Sequence, residues 1–330
     1  MVWVLVWVLV WVLVSVLVRK GCNMKPICIY HGNCADGFTA AWAVWKRYGD
    51  TLDYHPGVYG QAPPNVTGRD VLMVDFSYKK NVLFDMLHSG DVNQAHTILI
   101  LDHHKTAQAE LVGIRAPEEV GRVVGWDTNY WRAAWEQEVE WPVRAVFDMD
   151  RSGAQIAWDF FHPGSPRPML VDYVGDRDLW KFELEYSREV NAYIFAHEYS
   201  FDEWNNLDVA LKTVGDRRRF ASMGMAIEKK HHKDIKELVA KLKSWMVIGG
   251  YAVPVANLPY TLTSDAGNLM ATETPAPFAA CYWDTPTERV FSLRSLKGGM
   301  DVAAIAAQYG GGGHANAAGF QRPLGWEGDK

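Results

Sequence analysis

The sequence predicts an α/β protein, with a parallel-sheet N-terminal domain joined by a helical linker to a smaller C-terminal α/β domain. Three observations carry this. Up to about residue 174, short apolar segments alternate with helix-periodic ones, the pattern of a parallel sheet covered on both faces. A long, charged, helix-periodic stretch over Phe201–Lys243 then separates regions of different pattern. Beyond Gly249-Gly250, strand-like segments return with short helices between them. A chain of 330 residues is long enough for two domains, each burying its own core.

In order, Pro26–Tyr30 is a short apolar strand and Gly37–Arg47 a helix rich in Ala and Trp. Val71–Val74 is a buried strand, Lys79–Leu87 a helix, and Thr97–Leu101 a second buried strand. Residues 113–145 read as an irregular, tryptophan-rich insertion or covering layer. A helix over Ser152–Phe161, the segment Met169–Val174 and a polar turn over Gly175-Asp176-Arg177-Asp178 follow. In the last region Tyr251–Val255, Phe278–Tyr282 and Val290–Arg294 read as strands. Helices are expected near Leu262–Ala271 and Val302–Gln308. The implied division is 1–23, 24–200, 201–245 as the helical linker, and 246–330.

Val2 to Val18 is an apolar run interrupted only by Ser15 and followed by Arg19-Lys20. It lacks the basic start and small-residue cleavage site of a signal peptide. Two main readings stay open: a start upstream of the true one at Met24, or a short membrane anchor with the bulk of the chain on the cytoplasmic side. The composition, 48% apolar with a net charge of −6, excludes a disordered or collagen-like chain. It also argues against a basic coat for nucleic acid, so no large nucleic-acid complex is expected. Four cysteines without a CxxC pair fit a reducing, cytoplasmic compartment.

The strands end in polar residues, and in a parallel sheet the ligand crevice lies beyond those ends. Four clusters sit there or nearby: His31-Gly-Asn-Cys-Ala-Asp36-Gly37, Val74-Asp75-Phe76-Ser77, Asp102-His103-His104, and Gly175-Asp176-Arg177-Asp178. A lone Asp at a strand end is usually a cap, but several carboxylates converging would repel one another unless a cation neutralised them. Mixed His and Asp donors suit Mn²⁺ or another first-row divalent ion better than Ca²⁺.

These motifs in this order resemble the DHH phosphoesterase superfamily. Phe291-Ser-Leu-Arg294-Ser and Gly310-Gly-Gly-Gly-His314-Ala-Asn-Ala-Ala-Gly-Phe320 resemble its DHH-associated domain, and the likeness spans roughly residues 26–320. The resemblance implies a hydrolase of phosphate esters or phosphodiesters that uses one or two Mn²⁺ ions, with Co²⁺ or Mg²⁺ as substitutes. It makes 24–200 the catalytic region and 246–330 the substrate-binding one. His31 would bind the first metal, Asp75 would bridge both, and Asp36, His103 and Asp176 would complete the second. Asp178 rivals Asp176, because both lie in one turn. Asp102 would orient a histidine, and His104 would face the scissile phosphate as donor or general acid.

Members of the family usually carry two aspartates one residue apart in the first motif, whereas this chain has Asn33-Cys34-Ala35-Asp36. Cys34 or Asn33 would substitute, or the first metal would be held more weakly. A Cys34 thiolate would tilt the site towards softer ions. Gly311, Gly312 and Gly313 would offer backbone N–H groups to an anion, helped by a helix starting at Ala315. Arg294 and His314 would contact the phosphate or base. Ser152 is either a phosphate contact or a plain helix cap. The compact length and the complete C-terminal glycine motif favour a short substrate: an oligoribonucleotide of a few residues, then a cyclic or linear dinucleotide or a nucleotide 3′-phosphate. The family also makes a homodimer plausible. The alternative is a nucleotide-binding sensor that has lost catalysis through the altered motif.

Overall fold

The computed structural model describes residues 24–88, 94–114 and 142–330. The apolar run Val2–Val18 and most of the tryptophan-rich stretch lie outside the described residues. No helix among those described is long and apolar enough to cross a membrane.

The first region is a five-stranded sheet in the order β2-β1-β3-β4-β5, parallel throughout. The central strands are β1 (Ile27–His31), β3 (Asp70–Val74) and β4 (Thr97–Asp102). The last two are buried along their whole length, as a strand covered on both faces must be. The edges are β2 (Asp53–Gly57) and β5 (Val143–Phe147). β2 is not announced by the sequence, because it is half-exposed and carries Pro56, which an edge tolerates. β5 corrects the reading of 113–145 as irregular, since residues 143–145 begin a strand whose apolar residues Arg144 interrupts.

One face of the sheet is covered by α1 (Ala35–Tyr48), α4 (Gly153–Phe161), α5 (Met169–Asp178), α6 (Ser187–Ile194) and α7 (Phe201–Ala210). Trp42, Phe161, Tyr173 and Trp204 fill the core there. Trp42 Nε1 donates to Asn205 and Trp204 Nε1 donates to Thr39, so both indole N–H groups are satisfied. The other face packs Ile29, Met73, Phe76 and Ile100 against α2 (Lys80–His88). The short helix α3 (Lys105–Glu110) follows β4 directly.

One expectation is corrected here. Residues 175–178 are not a turn but the last turn of α5, because Met169 to Asp178 keeps one helical path. The chain reverses after it, with Trp180, Phe182 and Tyr186 all at positive φ.

The charged linker is two helices, α7 and the 29-residue α8 (Val214–Leu242), which opens on a capping box between Thr213 and Asp216. It leads into a six-stranded sheet in the order β10-β11-β9-β8-β7-β6. These strands are β6 (Ser244–Ile248), β7 (Tyr251–Asn257), β8 (Ala279–Asp284), β9 (Glu288–Arg294), β10 (Gly312–His314) and β11 (Ala317–Pro323). Only β7 and β8 pair in parallel among them. Helix α9 (Thr263–Glu273) lies over one face with the end of α8, and α10 (Val302–Ala307) over the other. The helix expected at Ala315 is absent: Gly312–His314 and Ala317–Pro323 form a tight antiparallel pair instead. The glycines that would cost a helix conformational entropy are tolerated at this sheet edge.

Candidate metal centre and active site

Parallel pairing puts the carboxyl ends of β1, β3 and β4 side by side. His31 ends β1, Asp75 follows β3, Asp102 ends β4, and His103 and His104 come next. Asp75 sits at φ 54°, a left-handed conformation uncommon for aspartate, and its N–H donates to Leu101 O at 2.8 Å. That backbone turns its carboxylate inward. Gly153 makes room for it, since a Cβ there would lie 2.3 Å from Asp75 Cβ.

His103 Nε2 is the hub of the cluster. It lies 3.0 Å from Asp75 Oδ1, 3.6 Å from Asp178 Oδ2 and 3.8 Å from Asp36 Oδ2. On the other side of Asp75, His31 Nδ1 is 3.5 Å from Oδ2. Among the described residues, four sets of potential ligand atoms lie within 4.8 Å of one another: Asp36, His103 and Asp178; His31, Cys34 and Asp75; Asp75, Asp102 and His104; and His103, His104 and His314.

The donor set fits divalent cations. Asp75 is 1% exposed, yet Oδ1 has no aligned hydrogen-bond partner even with His103 Nε2 at 3.0 Å. His31 Nδ1 is likewise buried and unpartnered. Buried polar atoms are seldom left so, and here they are the atoms that a shared ion would join. The charges agree. Burial raises Asp36, and Asp178 and Asp75 raise it further. Asp178 is raised too, by burial first and by Asp75 next among the groups that push it up. Burial would also raise Asp75, but the close imidazoles of His103 and His31 outweigh it and hold that carboxyl low. Burial would lower His31 and His103, and their carboxylate neighbours lift both well above the usual imidazole range. Such a crowd of carboxylates is what a bound cation relieves.

Asp102 and His104 form a second unit. Asp102 is fully buried, and its Oδ1 accepts from the backbone N–H groups of His103 and His104 and from His104 Nδ1 at 2.7 Å. That bond fixes the tautomer and leaves Nε2 as the free ring nitrogen. The His104 ring stacks on His314 of the second region at 4.6 Å, and His314 is equally close to His103. Burial, then His104 and His103, pull His314 down to about 2, so it is neutral.

Several sequence expectations are redirected. Asp178 joins the cluster, and Asp176 does not: its carboxylate oxygens accept from Glu183 N at 2.9 Å and Leu184 N at 3.2 Å. Asp176 therefore closes the reversal after α5 and is not placed as a ligand. Ser152 is a cap, not a phosphate contact: it is fully buried in a capping box with Gln155. The first amides of α4 are already taken, since Gly153 N and Ala154 N donate to Asp36 at 2.6 and 3.2 Å. The glycine run is not an open anion cradle. Gly311 N donates to Ala306 O and Gly313 N to Thr106 Oγ1 at 2.9 Å. At Gly312 a Cβ would lie 2.5 Å from Thr106 Oγ1, so glycine lets β10 dock on α3. Arg294 is anchored in its own region, donating to Ser292 Oγ, Leu293 O and Ser264 Oγ, with Nε buried and unpartnered.

Sequence reasoning missed Tyr59, a half-exposed ring 5.3 Å from His31 and 5.9 Å from His104, backed by Phe76. It also missed how the two sheets are held together. Asp265 at the start of α9 meets Arg177 of α5 at 2.9 Å, His231 of α8 at 3.0 Å and Arg188 of α6 at 3.7 Å. Arg177 lies over Trp180 and Arg188 over Phe182. Burial lowers Arg177, whereas Asp265 falls to about 2 in spite of its burial, because His231 and Arg177 face it. A Lys105–Asp301 ion pair adds a contact near the site. No sequence spacing signals partners so far apart in the chain.

No protein-family model matches the chain. It is similar to an uncharacterized protein, R106, of Acanthamoeba polyphaga mimivirus, 29% identical over 316 residues. That match covers 89% of this chain, which spans only 66% of the mimivirus protein's length. Among solved structures, it is similar to RecJ in complex with Mn²⁺ from Thermus thermophilus, at 15% identity and a TM-score of 0.45, covering 92% of this chain and 50% of that one. It is also similar to a pGpG-specific phosphodiesterase, PggH, from Vibrio cholerae, at 15% identity and a TM-score of 0.38, covering 91% and 94%. Motif order, parallel sheet and strand-end cluster, all in this chain itself, agree with the DHH phosphoesterase resemblance that its sequence carries.

Proposed function

We propose that the protein is a metal-dependent phosphoesterase acting on short nucleotide substrates. The observation that carries this reading is the convergence of His31, Asp36, Asp75, His103 and Asp178 at the ends of parallel strands. His104, oriented by Asp102, stands beside them. His31 and Asp75 would hold one ion, and Asp36, His103 and Asp178 the other, with Asp75 placed to reach both. Mn²⁺ suits these donors, with Mg²⁺ or Co²⁺ as alternatives. When bound, such ions neutralise phosphoryl charge and make water more acidic.

The chain's own groups supply the rest. Asp102 accepts from His104 Nδ1, which leaves Nε2 available; with both ring nitrogens protonated, the Nε2 proton would pass to the leaving oxygen of the ester and the ring would end neutral. His314 brings a neutral imidazole from the second sheet to the same spot, fit to hydrogen-bond a phosphate or sugar oxygen. Tyr59 offers an aromatic face beside His31 and His104 on which a base can stack. The second sheet is docked through Thr106–Gly313 immediately beside the cluster, which favours a substrate of a few nucleotides over a long strand. A donor is retained at the altered first motif, since Cys34 stands with His31 and Asp75. That favours an active enzyme over a sensor.

The test is an Mn²⁺-titrated assay on a 5′-phosphorylated dinucleotide, a nucleotide 3′-phosphate and a cyclic dinucleotide. Turnover of at least one, abolished by chelation, is expected. Binding without turnover of any of them, with Mn²⁺ or Co²⁺ present, would make the protein a nucleotide-binding one.

A further inference from the structure

Cys34 stands out among the described cysteines. Cys28 and Cys281 are fully buried among apolar side chains and act as small core fillers. Cys34 is partly exposed and sits among charged groups, with a ligand atom of His31 and one of Asp75 within 4.8 Å. It occupies the N-cap position of α1 in extended conformation, but its side chain makes no capping hydrogen bond. Asn, Asp, Ser or Thr at that position would stabilise the helix, so cysteine gives up a local contribution here. A second observation points to a ligand. His31 Nδ1 is a buried atom without an aligned hydrogen-bond partner, and Asp75 Oδ2, of a side chain only 1% exposed, lies 3.5 Å from it.

We propose that Cys34, as a thiolate, ligates a cation together with His31 and Asp75, and that this position prefers Zn²⁺ or Co²⁺ while its neighbour at Asp36, His103 and Asp178 prefers Mn²⁺ or Mg²⁺. The inference rests on the metal-centre reading above and adds that the two positions are chemically unequal. Sulfur and imidazole select borderline and soft ions, whereas a set dominated by carboxylates selects hard ones. Binding displaces the thiol proton to solvent, so the ion exchanges against one proton at this residue. The centre would then hold two different metals when both kinds are supplied.

Cobalt makes the claim visible. The full chain titrated with Co²⁺ is expected to develop a thiolate-to-cobalt charge-transfer absorption, which Cys34→Ser loses while still binding Co²⁺ at the second position. Cys34→Asp, in which every donor is oxygen or nitrogen, is expected to lower the preference for Zn²⁺ over Mn²⁺ by at least about tenfold in competition, measured as metal content after equilibration. Wild-type protein that binds Co²⁺ without that absorption overturns the proposal and leaves the metal centre standing. So does an absorption that survives in Cys34→Ser. Wild-type protein that binds no Co²⁺ at all overturns the metal-centre reading and this inference with it.

Discussion

The two sheets meet at the candidate site but contribute to it in opposite ways. The parallel sheet brings side chains: His31, Asp75, Asp102 and His103 stand on or just beyond strand ends whose backbone is fixed by neighbours on both sides. The mixed sheet brings mostly backbone, a glycine strand laid on α3, and one imidazole, His314. Reacting groups must be held rigidly, and a buried central strand does this best. A surface that accepts varied substrates can be an edge strand docked by a few contacts. On this account, damage to the first sheet's residues removes the chemical step, and damage to the second weakens substrate binding.

The largest effect separates the two most sharply. Asp75→Asn is expected to lower kcat by about 10³-fold or more, because the set with His31 and Cys34 loses its carboxylate and His103 loses its nearest one. Circular dichroism should show the fold retained. Next, His104→Ala should lower kcat roughly 10²- to 10³-fold, with KM little changed. In the second sheet the pattern should reverse. Gly312→Val meets Thr106 at once, so β10 must lift off α3 at a cost of about 1–3 kcal/mol. Steady-state kinetics should show KM rising more than kcat falls.

Asp265→Asn tests the contact that holds the sheets together. Asp265 is about 2 in the folded protein, below the ordinary carboxylate value, so it stabilises the fold above about pH 4. That contribution is lost as pH falls towards 2. Removing the charge should therefore cost about 2 kcal/mol in denaturant unfolding at pH 7 and much less near pH 2. The smallest effect is assigned to Tyr59→Ala, a rise in KM for a dinucleotide by about tenfold, as loss of one stacking surface would give. A change in kcat with constant KM there would place Tyr59 in the chemistry instead.

How much of this the sequence reveals depends on whether a feature is local. The buried strands ending at His31, Val74 and Asp102 are legible because continuous apolar runs need both faces covered. Their polar ends then fall at one crevice by topology alone. The edge β2 is not legible, since a half-exposed strand such as Asp-Tyr-His-Pro-Gly carries no apolar run, and in β5 Arg144 breaks the apolar run of Val143–Phe147. The choice between Asp176 and Asp178 was beyond spacing, because helix α5 continues to Asp178 and turns the two side chains to different sides. Gly310–Gly313 suggested an anion cradle, and only the partner Thr106, far away in sequence, shows that those amides are engaged. The Asp265 network is likewise a product of tertiary contact between α5, α6, α8 and α9.

The central claim is that the cluster around Asp75 is a catalytic metal centre. Its most direct test is Mn²⁺ binding by calorimetry, paired with hydrolysis of a 5′-phosphorylated dinucleotide, in wild-type protein and in Asp75→Asn. The account predicts that wild-type protein binds Mn²⁺ and turns the dinucleotide over, and that the variant loses both while staying folded. An Asp75→Asn protein that binds Mn²⁺ and hydrolyses the dinucleotide as well as wild type would contradict it.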